Sequence, residues 1–216
     1  MSEDQQALPE QDSEANAAVE RPRRTRPAPG QRRLEILQAL ATMLETPSSE
    51  RITTAALAKR LAVSEAALYR HFASKAQMLE GLIGFIEDSV LGLVRQVQER
   101  EADPLLRCHR MVTLVLQFCE ANPGMARVMV GDALLYEHTR LQERMELLMD
   151  KLESSLKQEW REVATRSGDP TPTVSAQVRA ATLMAATQGR LLRYCRSGWR
   201  KKPTAELAES LSLLLA

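Results

Sequence analysis

Between Arg51 and Glu80 the chain reads RITTAALAKRLAVSEAALYRHFASKAQMLE, and this stretch gathers the side chains best suited to chemistry with a polyanion. Thr53, Thr54, Ser64, Tyr69, His71 and Lys75 carry hydroxyl, imidazole and ammonium groups that donate to phosphate oxygens. Lys75 follows a helix-capping serine, so the positive end of its helix adds to its own charge. Glu65, Ala66, Ala67 and Arg70 suit base edges instead. Glutamate accepts from cytosine N4, arginine donates twice to guanine, and alanine methyls let a helix sit deep and touch thymine methyls. For His71, a place in a packed core is the alternative.

Other chemistry is poorly provided for. No hydrolase elbow, metal-spaced His/Cys set, phosphate-binding glycine loop or paired acid/base motif occurs, and the three histidines fall in separate segments. Neither an enzyme nor a cofactor or metal is therefore expected. Cys108, Cys119 and Cys195 are odd in number and far apart, with no C-x-x-C pair, which favours buried thiols over disulfides or ligands.

The elements that must position the polar groups are short. Leu57 and Leu61 recur at helical spacing with the small Ala58 beside them, where a crossing helix comes close. Ala62-Val63 makes the turn, and Ser64 is a good N-cap for the next helix. That helix turns Leu68 and Phe72 inward, leaving Glu65, Ala66, Tyr69 and Arg70 outward. Ser74 is a second cap. A small residue, a tight turn, a cap and LYRHF before a capped lysine form a much narrower pattern than helical periodicity alone, and it reads as a helix-turn-helix head.

These residues resemble the N-terminal domain of TetR-type regulators over about residues 33 to 78: T-x-x-x-L-A, then V-S, then L-Y-R-H-F-x-S-K. Ala62 departs from that family's usual glycine; at positive φ it costs roughly 1 kcal/mol relative to glycine. Further segments, IGFIEDSV, ANPGMARVMVGDALLYE and RLQERM, resemble the nucleoid occlusion factors within that family. This resemblance implies a homodimer that binds palindromic sites on double-stranded DNA in the nucleoid and antagonises assembly of the tubulin-like division protein FtsZ. A ligand-responsive repressor is the alternative. The resemblance also names a partner groove between the fourth and fifth helices, with Phe85, Leu114 and Asn122 in it and Arg107 and Arg110 adding charge. For Phe85 and Leu114, core packing is the competing role. Gln117 and Ala121 stand where the resemblance expects glycine and a basic residue.

The remaining composition sets the frame. With 216 residues, 44% hydrophobic but only 4% aromatic, the chain suits an all-α protein packed with Leu, Met, Ala and Val. Its net charge of +1 hides segregation, because Ser2 to Glu20 carries only acids and Arg21 to Arg33 only arginines. Residues 1–30 have few large apolar groups and are expected to be a disordered tail, with RPRRTRPAPGQRR either an arm toward DNA or a solvated linker. Residues 31–76 form the head and 77–216 a helical body for dimerisation and partner binding. A first helix is expected over Gln31–Glu45, with Leu34, Ile36, Leu37, Leu40, Ala41 and Leu44 inward. A long helix is expected from Ser74 to about Glu101, another over Leu105–Glu120, and a turn at Asn122-Pro123-Gly124. A long amphipathic helix follows, marked from Leu134 and Leu135 to Trp160; its acids in ERMELLMDKLE look like a solvated face. Val174–Arg196 and Thr204–Leu215 close the chain. Ala180, Ala181, Ala185, Ala186 and Gly189 let another helix approach, and a two-fold pair would read a palindrome. No targeting or membrane-spanning segment is evident, which points to the cytosol.

Overall fold

The computed structural model describes residues 30–46 and 52–215, so the tail and its arm up to Pro29 lie outside the described residues. The described chain is all-α: α1 Gln31–Leu44, α2 Thr54–Arg60, α3 Glu65–Tyr69, α4 Lys75–Arg100, α5 Pro104–Ala121, α6 Pro123–Met129, a 3-10 turn at Asp132–Leu134, α7 Thr139–Arg166, α8 Pro172–Arg196 and α9 Leu207–Leu215.

Local chemistry explains where the helices begin. Thr53, Ser64 and Ser74 each accept from the backbone N–H three residues on, at 3.1, 3.2 and 3.1 Å, while Asp103 accepts from Leu105 at 2.8 Å ahead of Pro104. Each bond satisfies an orphan donor of a first turn. Between α2 and α3 the Val63 N–H returns to the Ala58 carbonyl at 3.0 Å. Ala62, at φ 52°, occupies the left-handed position of this Schellman cap, as its place in the turn predicts.

Ile36, Leu40, Leu57, Leu68, Phe72 and Leu79 are essentially sealed from solvent and form the core of the head. It runs without a break into the body, because α4 buries Met78, Leu82 and Ile83 and then Ile86, Val90, Val94 and Val97 along its length. The body packs α4, α5, α7 and α8 together, α7 against α8 most extensively.

Helix α6 was not expected. Asn122-Pro123-Gly124 ends α5, but Pro123 also stands at the first position of a new helix, where its missing N–H costs nothing. Gly124 then lies against α1, where a Cβ would fall 1.9 Å from the Ala41 carbonyl oxygen. The next helix starts at Thr139 rather than near Leu134. Gly131, at φ 79°, and the 3-10 turn interrupt the chain there, burying Leu134 but leaving Leu135 61% exposed. Leu34 is also not inward. It shares a side of α1 with Ala41, and α6 covers that side only near Ala41 and Leu44.

Candidate nucleic-acid interface and partner groove

Helices α2 and α3 meet through their first turns. The Thr54 hydroxyl donates to Glu65 Oε2 at 2.7 Å, and the Tyr69 hydroxyl lies 3.5 Å from Thr54 Oγ1. Three residues expected to touch DNA separately are thus one polar cluster, in which Thr54 fixes the Glu65 carboxylate. Ser64, Glu65, Ala66, Tyr69 and Arg70 are exposed, Ala67 and His71 half-buried. A five-residue α3 ends at Tyr69, so Arg70 is its C-cap rather than an interior residue. This surface offers hydroxyls, a carboxylate, a guanidinium and two methyl groups along one ridge, which is what a duplex groove requires.

Two cations have partners that the sequence reading did not name. Arg33 lies in α1, within the bounds expected for that helix. It donates to the His71 carbonyl and stacks 4.1 Å over the Phe72 ring, tying α1 to the end of α3. Lys75 pairs with Glu137, in the connection before α7, at 2.5 Å. Nothing in helical periodicity signals a partner so distant in sequence.

On the body, Phe85 is 40% exposed on α4, unlike the sealed Phe72 of the head. That favours contact over core packing. Leu114, on the adjacent α5, is half-buried against the core. Asn122 sits where α5 meets α6: its amide donates to the Phe118 carbonyl at 2.8 Å, and its own carbonyl accepts from Met125 and Ala126. Arg107 is not available to a groove. Its guanidinium donates to Glu159 at 2.9 Å and Glu162 at 3.4 Å, and its Nε to the Glu101 carbonyl. Glu159, only 2% exposed, needs that cation and Gln98 as buried partners. Arg110 is half exposed but paired with Glu101 at 2.9 Å.

The head is fastened to the body at the end of α1. Arg127 of α6 donates to the Leu44 and Thr46 carbonyls, and Trp199, beyond α8, donates its indole N–H to Glu45 at 2.8 Å. These bonds satisfy carbonyls that a helix end leaves open.

Burial keeps the thiols protonated. Burial pushes Cys108 up to about 12 and Cys195 to about 11, and raises Cys119 as well. Among the described residues, no group of His, Cys, Asp and Glu is placed to hold a metal ion, and no helix is long and apolar enough to cross a membrane.

Comparison with known proteins fits this geometry. Residues 36–82 match the bacterial regulatory proteins of the tetR family, and residues 102–216 the tetracyclin repressor-like C-terminal domain of SlmA-like type. Nucleoid occlusion factor SlmA of Idiomarina loihiensis is 51% identical over 80% of this chain and 88% of its own. SlmA of Photobacterium profundum is 48% identical over 86% and 94%. The fold is shared with the regulator FadR of Bacillus subtilis, solved with stearoyl-CoA, at a TM-score of 0.68 and 13% identity over 85% of this chain and 97% of that one. Such relatives are DNA-binding regulators and not enzymes. With a matching head, a matching body and about half of the aligned residues shared with SlmA proteins, the chain belongs to the TetR family of DNA-binding regulators, in its SlmA-like branch.

Proposed function

We propose that this protein is a sequence-specific, DNA-bound inhibitor of cell division, a nucleoid occlusion factor. It binds palindromic chromosomal sites as a homodimer and antagonises FtsZ ring assembly over the nucleoid, in the cytoplasm. The observation that carries this reading is identity of about half to proteins named nucleoid occlusion factor SlmA, across head and body alike. The geometry supports it. An exposed phenylalanine on α4 beside the half-buried Leu114 of α5 gives an apolar anchor for a peptide. DNA then acts as a platform that raises the local concentration of the inhibitor.

A ligand-responsive repressor is the competing reading, and the body's interior argues against it. Val94, Met111, Val115, Leu156 and Met184 close on a void of about 10 Å³ between α4, α5, α7 and α8. That is hardly room for one water. The one observation on the other side is a larger cavity of about 830 Å³, lined by Met129, Met145, Met149 and Leu192. It opens onto the side of α8 that carries Ala185 and Gly189.

FtsZ sedimentation with this protein, with and without DNA carrying the palindrome, decides between them. The expected result is DNA-dependent loss of pelleted polymer, abolished by Phe85→Ala while DNA binding persists. Polymer unaffected by the DNA-bound protein, together with release of DNA by an apolar small molecule, would put the repressor ahead.

A further inference from the structure

We infer that Trp199 is the positioning residue that sets the distance between the two DNA-reading heads, by tying the end of α8 directly to the end of α1. The inference rests on the homodimer reading, in which a second copy covers the outer side of α8. It starts from a strained backbone. Trp199 stands at φ 68°, directly after Gly198 at φ 60°, and a bulky residue in that region is an outlier. Such a conformation persists only where the surroundings over-determine it. Here they do. Gly198 and Trp199 close a Schellman cap on α8, their N–H groups donating to the carbonyls of Cys195 at 3.2 Å and Tyr194 at 3.1 Å. The apolar contact that accompanies such a cap is the Trp199 ring against Tyr194, with centroids 5.0 Å apart. Tyr194 is fixed in turn by its hydroxyl, which donates to the Glu120 carbonyl at 3.1 Å. On the far side, Arg200 Nε donates to the Ser197 carbonyl at 2.9 Å and the Lys201 N–H to the Ser197 hydroxyl at 2.8 Å.

The ring is thus held rigidly to α8, and its indole N–H reaches out to the Glu45 carbonyl at 2.8 Å. Glu45 directly follows α1, and the carbonyls on either side of it, Leu44 and Thr46, accept from Arg127. The two grips lead to different places. Arg127 belongs to α6, whereas Trp199 belongs to the end of the helix that a second copy covers. Gly189, on the outer side of α8, lies about two turns or 10 Å before the last residue of that helix, Arg196. From the contact with the second copy to the head, the path is therefore a short rigid stretch of α8, its cap and one hydrogen bond. Apolar packing along α4 also joins head to body, but it is non-directional, and a hydrogen bond fixes an angle. Two heads about one two-fold axis are then held at one separation. A base pair added between half-sites moves the second by about 3.4 Å and turns it by about 35°. A head follows that shift only by leaving the Trp199 bond.

The test uses the full chain and the palindrome it selects from random duplexes, with one or two base pairs added or removed at the centre, beside a duplex carrying a single half-site. Binding is followed by fluorescence anisotropy and the oligomeric state by sedimentation velocity. Trp199→Phe keeps a ring against Tyr194 and removes the donor. Replacing both tryptophans by the benzothiophene analogue, with sulfur in place of the N–H, does the same at full ring area and serves should the phenylalanine variant fold poorly. Trp160 is indifferent to that exchange, because its Nε1 has no hydrogen-bond partner among the described residues. In the unmodified dimer, affinity should fall steeply as the spacing is changed. In either variant the preference for the native spacing should narrow roughly 3- to 10-fold, the worth of one hydrogen bond, with the dimer intact and half-site binding unchanged. An unchanged spacing preference in both variants overturns the inference and leaves the homodimer reading standing. An equal loss on every duplex, the half-site included, also overturns it, because Trp199 then only supports the fold. A monomeric unmodified protein, or one indifferent to spacing, brings down the homodimer reading and the inference with it.

Discussion

Alanine at a left-handed backbone position carries a penalty that glycine escapes, and Ala62 sits there at φ 52° with its side chain exposed. Ala62→Gly loses no packing, so it should stabilise the protein by up to about 1 kcal/mol, read as a higher denaturant midpoint at unchanged slope. Trp160 is a second residue whose local chemistry is incomplete. Its ring is 3% exposed and lies under the Arg179 guanidinium at 4.6 Å, yet the indole Nε1 finds no hydrogen-bond partner among the described residues. An unmade bond at a buried donor costs about 1–3 kcal/mol, whereas a phenylalanine there loses some ring area but no bond. Trp160→Phe should therefore change stability by less than about 1.5 kcal/mol, against the roughly 3–5 kcal/mol of a buried Trp→Ala. Calorimetric unfolding of the two variants side by side checks the difference.

At the scale of elements, the helices announced themselves wherever a cap met an apolar stripe. Ser64 and Ser74 are legible because a cap is a local bond between a side chain and a nearby N–H, and Thr53 and Asp103, not read as caps from the sequence, act in the same way. Helix α6 was not legible, since the Asn-Pro-Gly that ends one helix is also a sound beginning for another. The ties between head and body were hidden for a different reason. Arg127 to Leu44 and Trp199 to Glu45 span 83 and 154 residues, and such pairs leave no periodic trace. The candidate site divides the same way: the outward ridge of α3 follows from helical spacing, but the Thr54–Glu65 bond and the Glu137 partner of Lys75 follow only from tertiary packing. Gly124→Ala tests the seating of α6. With a Cβ placed 1.9 Å from a backbone oxygen, α6 must shift off α1, costing about 1–3 kcal/mol. Exchange of the α1 amides should rise in that variant even where global stability suffices. Glu120 tests the junction of α5 with the segment before α9. Hydrogen bonding from Thr204, then Lys202 at 3.0 Å, holds its carboxyl below the ordinary 4.5. Because the folded value is depressed, its contribution is complete above the ordinary value and is lost as pH falls through the depressed one. Glu120→Gln should thus be less stable at neutral pH and lose less on acidification, which unfolding curves across about pH 3–6 would show.

For the whole molecule, the question is what covers the outer side of α8. The inner side buries Ala176, Ala180, Leu183, Thr187 and Leu191. Opposite them, Val174 and Val178 are 63% and 60% exposed, Ala185 and Gly189 follow at helical spacing, and a Cβ on Gly189 would meet nothing within 4 Å. Leu213 of α9 is 83% exposed as well. A helix of 25 residues, some 37 Å long by the rise of an α-helix, thus presents small and apolar groups that none of the described residues covers. A second copy of α8 and α9 is the natural cover, since small residues let two helices approach closely and a two-fold pair sets two heads on one palindrome. Ala185→Glu places a charge at the centre of that contact and does not disturb the monomer, where the position is exposed. Sedimentation velocity should then report a monomer. Binding to the palindrome should fall on the order of 100-fold or more, because the second head no longer arrives at the effective concentration set by the first, while binding to a single half-site should stay the same. A variant that remains dimeric would move the interface off this side of α8. An equal loss on the half-site would instead mean that the substitution reaches the head through the body, along the Trp199 and Arg127 bonds that hold the end of α1.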